Sequence, residues 1–336
     1  MKRKYRKIYL IIMVVIALNL LLTSCMSKSN DEISLFVNIL EGNEISDIVA
    51  FKGYLYTGGL EGVYKIDPDN YTYEKIDVGD VFLVKDLIVD DSYLYIGHDS
   101  GITIYDGENY SSLLDGTFAV PDVRVNCLTF DDENNLWAGT YGGALKFVND
   151  KWENISIDDG LMDNTVFLII QDSYGGMLFG HYASSNSGLS YLKNDKWSYF
   201  TVDEGLPHNY VVTGIMDENK IYIATGFYDL GGIAIFDVSS TGIDLTKTII
   251  KEWGENGNKP RSMLLEDDLL WIGTEYNGLC VMKDDAFVKF DIDDGLANNE
   301  VKSIYFDDNN MAWLGTRNGI SIVDKSYMYK SLNSIN

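Results

Sequence analysis

The chain has 336 residues, 46% of them hydrophobic, and its 51 acidic residues against 26 basic ones give a formal charge of −25. That balance excludes a nucleic-acid binder and a domain that docks flat on anionic lipid, since both need a positive surface. Three cysteines are too few for a disulfide framework.

Residues 1–24 read as a signal peptide. Lys2, Arg3, Lys4, Arg6 and Lys7 form a basic head, an apolar stretch runs from Ile8 to Leu22, and Leu22-Thr23-Ser24-Cys25 closes it. The apolar stretch is shorter than the roughly 20 residues a membrane-spanning helix requires. Its ending resembles the bacterial lipobox. That resemblance implies cleavage before Cys25, lipidation of its thiol and anchoring at the extracytoplasmic face of the cell membrane. Residues 25–32 then serve as a tether and 33–336 as the folded part. Loss of the five basic residues of the head lowers the charge to −30, which keeps a tethered protein soluble.

From Leu55 onward a short motif recurs seven times, best preserved as Leu136-Trp137-Ala138-Gly139, Leu270-Trp271-Ile272-Gly273 and Ala312-Trp313-Leu314-Gly315. Its anchor positions are Gly58, Gly97, Gly139, Gly180, Ala224, Gly273 and Gly315, spaced 39, 42, 41, 44, 49 and 42 residues apart. A period near 40 containing several short strands marks a radial repeat, in which each unit buries its faces on its neighbours. Each unit offers an aliphatic strand such as Val125–Phe130, the anchor strand, a third strand such as Gly319–Asp324, and an aromatic fourth such as Lys196–Phe200. The expected fold is all-β: a seven-bladed β-propeller of four-stranded antiparallel blades with no helix in the mature chain. Two segments compete to close the ring, Ser34 to Leu40 and Ser326 to Leu332. The first is favoured because Phe36 to Ile45 mimics the strand and loop that precede other repeats. The anchor glycines are expected to lead into tight turns. The acidic clusters Asp131-Asp132-Glu133 and Asp307-Asp308 occupy equivalent positions and read as solvated turns, lacking the ligand spacing of a calcium loop. Cys127 and Cys280, on apolar strands of different repeats, are expected to be buried free thiols.

Between repeats, Asp159-Gly160-Leu161-Met162-Asp163-Asn164, Glu204-Gly205-Leu206-Pro207-His208-Asn209 and Asp294-Gly295-Leu296-Ala297-Asn298-Asn299 are versions of one motif. Together with the downstream Leu-Trp-x-Gly-Thr it resembles the two-component regulator propeller repeat of bacterial membrane sensor kinases. The resemblance implies an extracytoplasmic recognition module. In those sensors a further β-domain, a membrane helix and a kinase follow the propeller. None is expected after the last repeat here, so signalling would need a partner membrane protein.

Function is expected on the loops at the channel mouth, where a rigid scaffold presents them. Tyr141, Tyr182, Phe227, Tyr228 and Tyr276 lie in post-anchor turns of four neighbouring blades and suit a glycan or an extended peptide. Aligning the inner strands places Ser46, Lys85, Asn126, Phe167, Val212, Arg261 and Lys302 at one register. Lys85, Arg261 and Lys302, with Arg317 nearby, could focus an acidic small molecule; the alternative is that each base pairs with an acid such as Asp47 or Asp86. His98 and His181 share the slot after the anchor glycine and are ligand candidates on the same face; the alternative is that they replace the threonine that hydrogen-bonds the turn in other repeats. Neither they nor His208 shows metal-ligand spacing, and no cofactor motif or nucleophile arrangement is present. Three classes stay open: a non-catalytic binding propeller, a surface carbohydrate lyase or hydrolase, and an envelope assembly scaffold.

Overall fold

The computed structural model describes residues 35–333 apart from 119–121, 184–186, 229, 251–257 and 285. The signal peptide, Cys25 and the tether lie outside the described residues. Seven four-stranded antiparallel sheets form the blades, six of them ordered from inner to outer strand in chain order. The seven inner strands pack side by side in blade order, with the strand at Ile45–Phe51 meeting that at Val301–Phe306, so the ring is closed.

Closure falls to the N-terminal segment, as expected. Val37–Ile39 becomes the outer strand of blade 7, pairing Val37 with Ile322 and Ile39 with Ile320. Ser321 donates to Asn38 Oδ1 at 2.7 Å, Asn38 Nδ2 donates to the Gly295 carbonyl at 3.0 Å, and Phe36 and Leu40 are buried on either side. The competing segment is not a strand. Lys325–Asn333 is an α-helix, correcting the expectation of a helix-free chain. Its short run of Met328, Tyr329 and Leu332 lies on one face, but only packing against the blades stabilises a helix this short.

The anchor glycines serve close approach rather than a turn. None of those at 58, 97, 139, 180, 273 and 315 has positive φ. A Cβ on Gly58 would stand 2.2 Å from Val84 Cγ1, and one on Gly273 would stand 2.5 Å from the carbonyl oxygen of Val301. Val301 begins the inner strand of the following blade and Val84 lies two residues ahead of one, so each of these blades rests on its predecessor at this point. In blade 5 the anchor is Ala224, fully buried with Met263 and Ile272, and the next inner strand begins with Pro260 instead of a β-branched residue.

The connecting motif is also scaffold. Ile157–Asp159, Val202–Glu204 and Ile292–Asp294 are single 3-10 turns, each with a capping box from Ser156, Thr201 or Asp291. Gly160, Gly205 and Gly295 follow with φ of 120°, 103° and 104°, and Leu161, Leu206 and Leu296 plug the core. Asn164, Asn209 and Asn299 accept the first amide of each turn at 2.8 to 3.0 Å. The acidic clusters are turns, as expected: Asp131 and Asp307 each accept the indole N–H of their own blade, from Trp137 at 2.9 Å and Trp313 at 2.8 Å. Cys280 is buried and Cys127 half-buried; both are free.

Gly273→Ala must push against backbone that cannot yield, so it is expected to destabilise the fold by about 1–3 kcal/mol in chemical denaturation. An unchanged midpoint would show that blades 6 and 7 do not depend on that contact.

Candidate functional site

The candidate site is built by a register irregularity. Six inner strands carry a bulge immediately after their first residue, at Ser46, Asn126, Phe167, Val212, Arg261 and Lys302. Blade 2 has Lys85 at the same place, its amide bonded to the Gly97 carbonyl at 2.9 Å. A bulge re-aims its extra residue out of the sheet. All seven side chains line the central channel, a cavity of about 540 Å³.

One half of the mouth is aromatic. Ring centroids run from Tyr141 to Phe167 at 6.0 Å, Phe167 to Tyr182 at 5.2 Å, Tyr182 to Tyr210 at 4.8 Å, Tyr210 to Phe227 at 5.0 Å and Phe227 to Tyr228 at 4.3 Å. His208 joins at 5.1 Å from Tyr210. Arg124 caps the far end over Tyr141, 4.1 Å from its centroid. Tyr141, Tyr182, Phe227 and Tyr228 thus come together as one stack, with Phe227 and Tyr228 38% and 67% exposed at its outer end.

The other half is charged. Lys259, buried, donates to the Tyr182 hydroxyl at 3.1 Å and pairs with Glu275 at 2.6 Å. Arg261 lies 3.8 Å from Glu275 and 3.0 Å from Glu300, and Arg317 lies 3.5 Å from Glu300. Lys302 pairs with Glu44. Tyr276 stands apart from the aromatic stack, its hydroxyl donated to Glu275 at 2.9 Å; that bond pushes it up to about 12. Lys85 alone of the three bulge cations has no ion pair among the described residues. Burial lowers its pKa, and the charges of Lys302 and Arg261 add to this.

The bases therefore do not pair with Asp47 or Asp86. Those two carboxyls sit deeper in the channel and join blades. Asp47 accepts the Leu87 amide at 2.9 Å and Asp86 accepts the Leu128 amide at 2.6 Å, each reaching into the next blade. Burial and the neighbouring Asp86 charge push the Asp47 carboxyl well above the ordinary range.

His98 and His181 are not surface ligands. Both are buried, with Nε2 3.1 Å from Thr103 Oγ1 and 2.9 Å from Ser190 Oγ. His98 Nδ1 also accepts the Ser100 amide, as Thr140 Oγ1 accepts that of Gly142. Each ring fills the threonine slot of its turn. Among the described residues no group of three or more His, Cys, Asp or Glu could hold a metal ion, and no helix is long and apolar enough to cross a membrane.

Sequence reasoning missed Arg124, Tyr210, Lys259, Glu300 and Glu44. Each immediately precedes the first residue of an inner strand. Because that first residue points at the preceding glycine, its two neighbours both turn to the mouth. The signal was the same alignment read one place earlier.

Burial lowers the imidazoles of His98 and His181 from 6.5 to about 4. Between those values the unfolded chain binds protons that the folded chain refuses, so this contribution is whole above pH 6.5 and lost as pH falls toward about 4. Replacing both by Asn is expected to flatten the drop in melting temperature over that window. A slope identical to that of the unaltered protein would show that the rings titrate normally.

The family model described as two component regulator propeller matches residues 119–142 and 295–318. No curated protein matches the chain. Among solved structures, the extracellular domain assigned to a hybrid two component system, BT3049, from B. thetaiotaomicron aligns with a TM-score of 0.76 at 18% identity, over 90% of this chain and 42% of that one. The extracellular domain assigned to a one component system, BT4673, of the same organism gives 0.67 at 23% identity, over 86% and 39%. PorZ, a bacterial surface component of the type-IX secretion system of Porphyromonas gingivalis, gives 0.64 at 16%, over 84% and 46%. The chain thus spans less than half the length of these relatives in fold. Fold and motif together identify a seven-bladed propeller that carries two component regulator propeller repeats.

Proposed function

We propose that this propeller is an extracytoplasmic binding module, held at the cell membrane by lipid on Cys25, that captures an anionic glycan at the channel mouth without chemical turnover. The observation that carries this reading is the unbroken run of contacts from Arg124 through the aromatic stack to Lys259, Arg261 and Arg317. Rings cover the apolar faces of sugars, and cations beside them take carboxylates. Lys85 lines the mouth and makes no ion pair among the described residues, so its charge, felt by Glu44 and Asp99 only through space, is open to such a group.

The mouth carboxyls support binding over hydrolysis. A glycosidase needs one acid held protonated near neutrality. Burial pushes Glu44 and Glu275 upward, but the bonds and charges of Lys302 and of Lys259 with Arg261 outweigh it and hold both below the ordinary range. The likeness in fold to sensor ectodomains supports a sensory role, in which a partner membrane protein would supply the output.

Uronate oligosaccharides are expected to raise the melting temperature with no product released. Tyr182→Ala and Lys85→Gln should each weaken binding about tenfold, the latter less at high salt, where its charge is screened. Product formation would overturn the non-catalytic reading, and unchanged affinity in both variants would overturn the choice of face. In cells, Cys25→Ser is expected to abolish fatty-acid labelling and release the protein from the membrane fraction; continued labelling would refute the anchor.

A further inference from the structure

The C-terminal helix shows what the other end of the blades can hold. It lies against the outer strand of blade 6, Ala286–Phe290, and the third strand of blade 7, Gly319–Asp324. Lys325 Nζ and the Tyr329 hydroxyl each reach Glu266 at 2.6 Å, and Met328 and Leu332 are buried. Beneath them Trp271 meets Phe306 edge-on at 4.8 Å. Three positions therefore receive the helix: an acid at the end of one inner strand, the ring of that blade's anchor strand, and an apolar residue near the end of the next inner strand.

One blade back, the same register holds Asp217, Tyr222 and Leu265. They line an open groove of about 790 Å³ between blades 5 and 6, walled by the outer strand Gly242–Ile249 and the end of the third strand Leu279–Lys283. Those walls are the counterparts of the two that seat the helix. No helix follows the third strand here as it does in blade 7, because after Lys283 the chain turns back into blade 6's outer strand. In blades 2, 3 and 7 the acid is taken up by its own blade's ring, through Tyr95, Trp137 and Trp313. Asp217 and the Tyr222 hydroxyl make no side-chain hydrogen bond or ion pair among the described residues. The rim carries five acids against three lysines, and Lys220 is already paired with Asp237.

We propose that the groove between blades 5 and 6 is a docking site for an amphipathic helix of a partner protein, bearing a basic residue in its first turn and apolar residues one and two turns later. This is the pattern of Lys325, Met328, Tyr329 and Leu332, and it is helix-in-groove recognition with an acid fixing the helix start. The groove opens at the end of the inner strands opposite the bulged end. A partner helix there leaves the channel mouth free, so ligand and partner can be held together.

The probe is a helix-braced, fluorescein-labelled peptide copying residues 324–333, titrated into the full chain and followed by anisotropy. Saturable binding is expected, weakened about tenfold or more by Asp217→Lys and by Leu265→Arg, and unaltered by Glu266→Gln. Circular dichroism of each variant checks that the propeller is intact; Asp217 is exposed and Leu265 only half-buried, so both should fold. Absence of saturable binding, indifference to both groove variants, or loss confined to Glu266→Gln would overturn the proposal. Self-association of the full chain that Asp217→Lys abolishes would likewise overturn it, giving the groove to a second copy.

Discussion

Six of the seven blades meet the next through one contact that tolerates no extra atom: the residue that opens an inner strand lies on the anchor glycine of the blade before it, and only blade 5, anchored by Ala224, departs from this. At Gly273 an added methyl would meet Ser262 Oγ at 2.2 Å and the Val301 carbonyl oxygen at 2.5 Å, so repacking side chains alone cannot relieve it. The contact fixes where each inner strand begins. It also fixes which way that first residue points, and the neighbours on both sides of it therefore turn toward the axis. The mouth of the channel is a consequence of how the blades stack.

That geometry explains why the mouth is chemically divided. The residues flanking the first inner-strand position do not seat on the anchor of the preceding blade, so their identity can change around the ring. Blades 3 to 5 place Phe167 and Tyr210 there, which the turn residues Tyr141, Tyr182 and Phe227 extend into a stack. Blades 6, 7, 1 and 2 place Lys259, Arg261, Glu300, Lys302, Glu44 and Lys85 there. In a chain of strongly negative charge, a local excess of bases at one mouth focuses anions where the rest of the surface repels them. Below it the Asp47 and Asp86 carboxyls accept amides from neighbouring blades, so their oxygens are engaged in holding blades together.

The opposite end of the blades repeats a different device, an acid set against an aromatic ring. Where ring and acid bond to one another, as Trp137 does with Asp131, the end of the blade is self-contained. In blade 6 the acid turns instead to the C-terminal helix, which covers Trp271. Blade 5, with long strands at Lys220–Phe227 and Leu230–Ser239, leaves its acid and ring uncovered. The repeats differ most where they meet something other than another blade.

Periodic glycines, short β-rich runs and a spacing near 40 residues were enough to determine seven four-stranded blades and closure by the N-terminal strand, because these depend on local strand propensity and on repetition. The connecting motif was legible as a family signature, although its work as a capped 3-10 turn with a buried leucine was not. Lys325–Asn333 was illegible for a related reason: nine residues are too few to declare a helix, and it forms because Glu266, Trp271 and Phe306 receive it. That His98 and His181 take the threonine slot was legible from the repeat alignment, but their partners Thr103 and Ser190 were not, since nothing local shows how the turn folds. The alignment register did find Lys85, Arg261 and Lys302. The partners of Arg261 and Lys302, Glu275, Glu300 and Glu44, come from loops. Only the ring brings those loops together, because which charges meet is set by the angle between blades and not by distance along the chain.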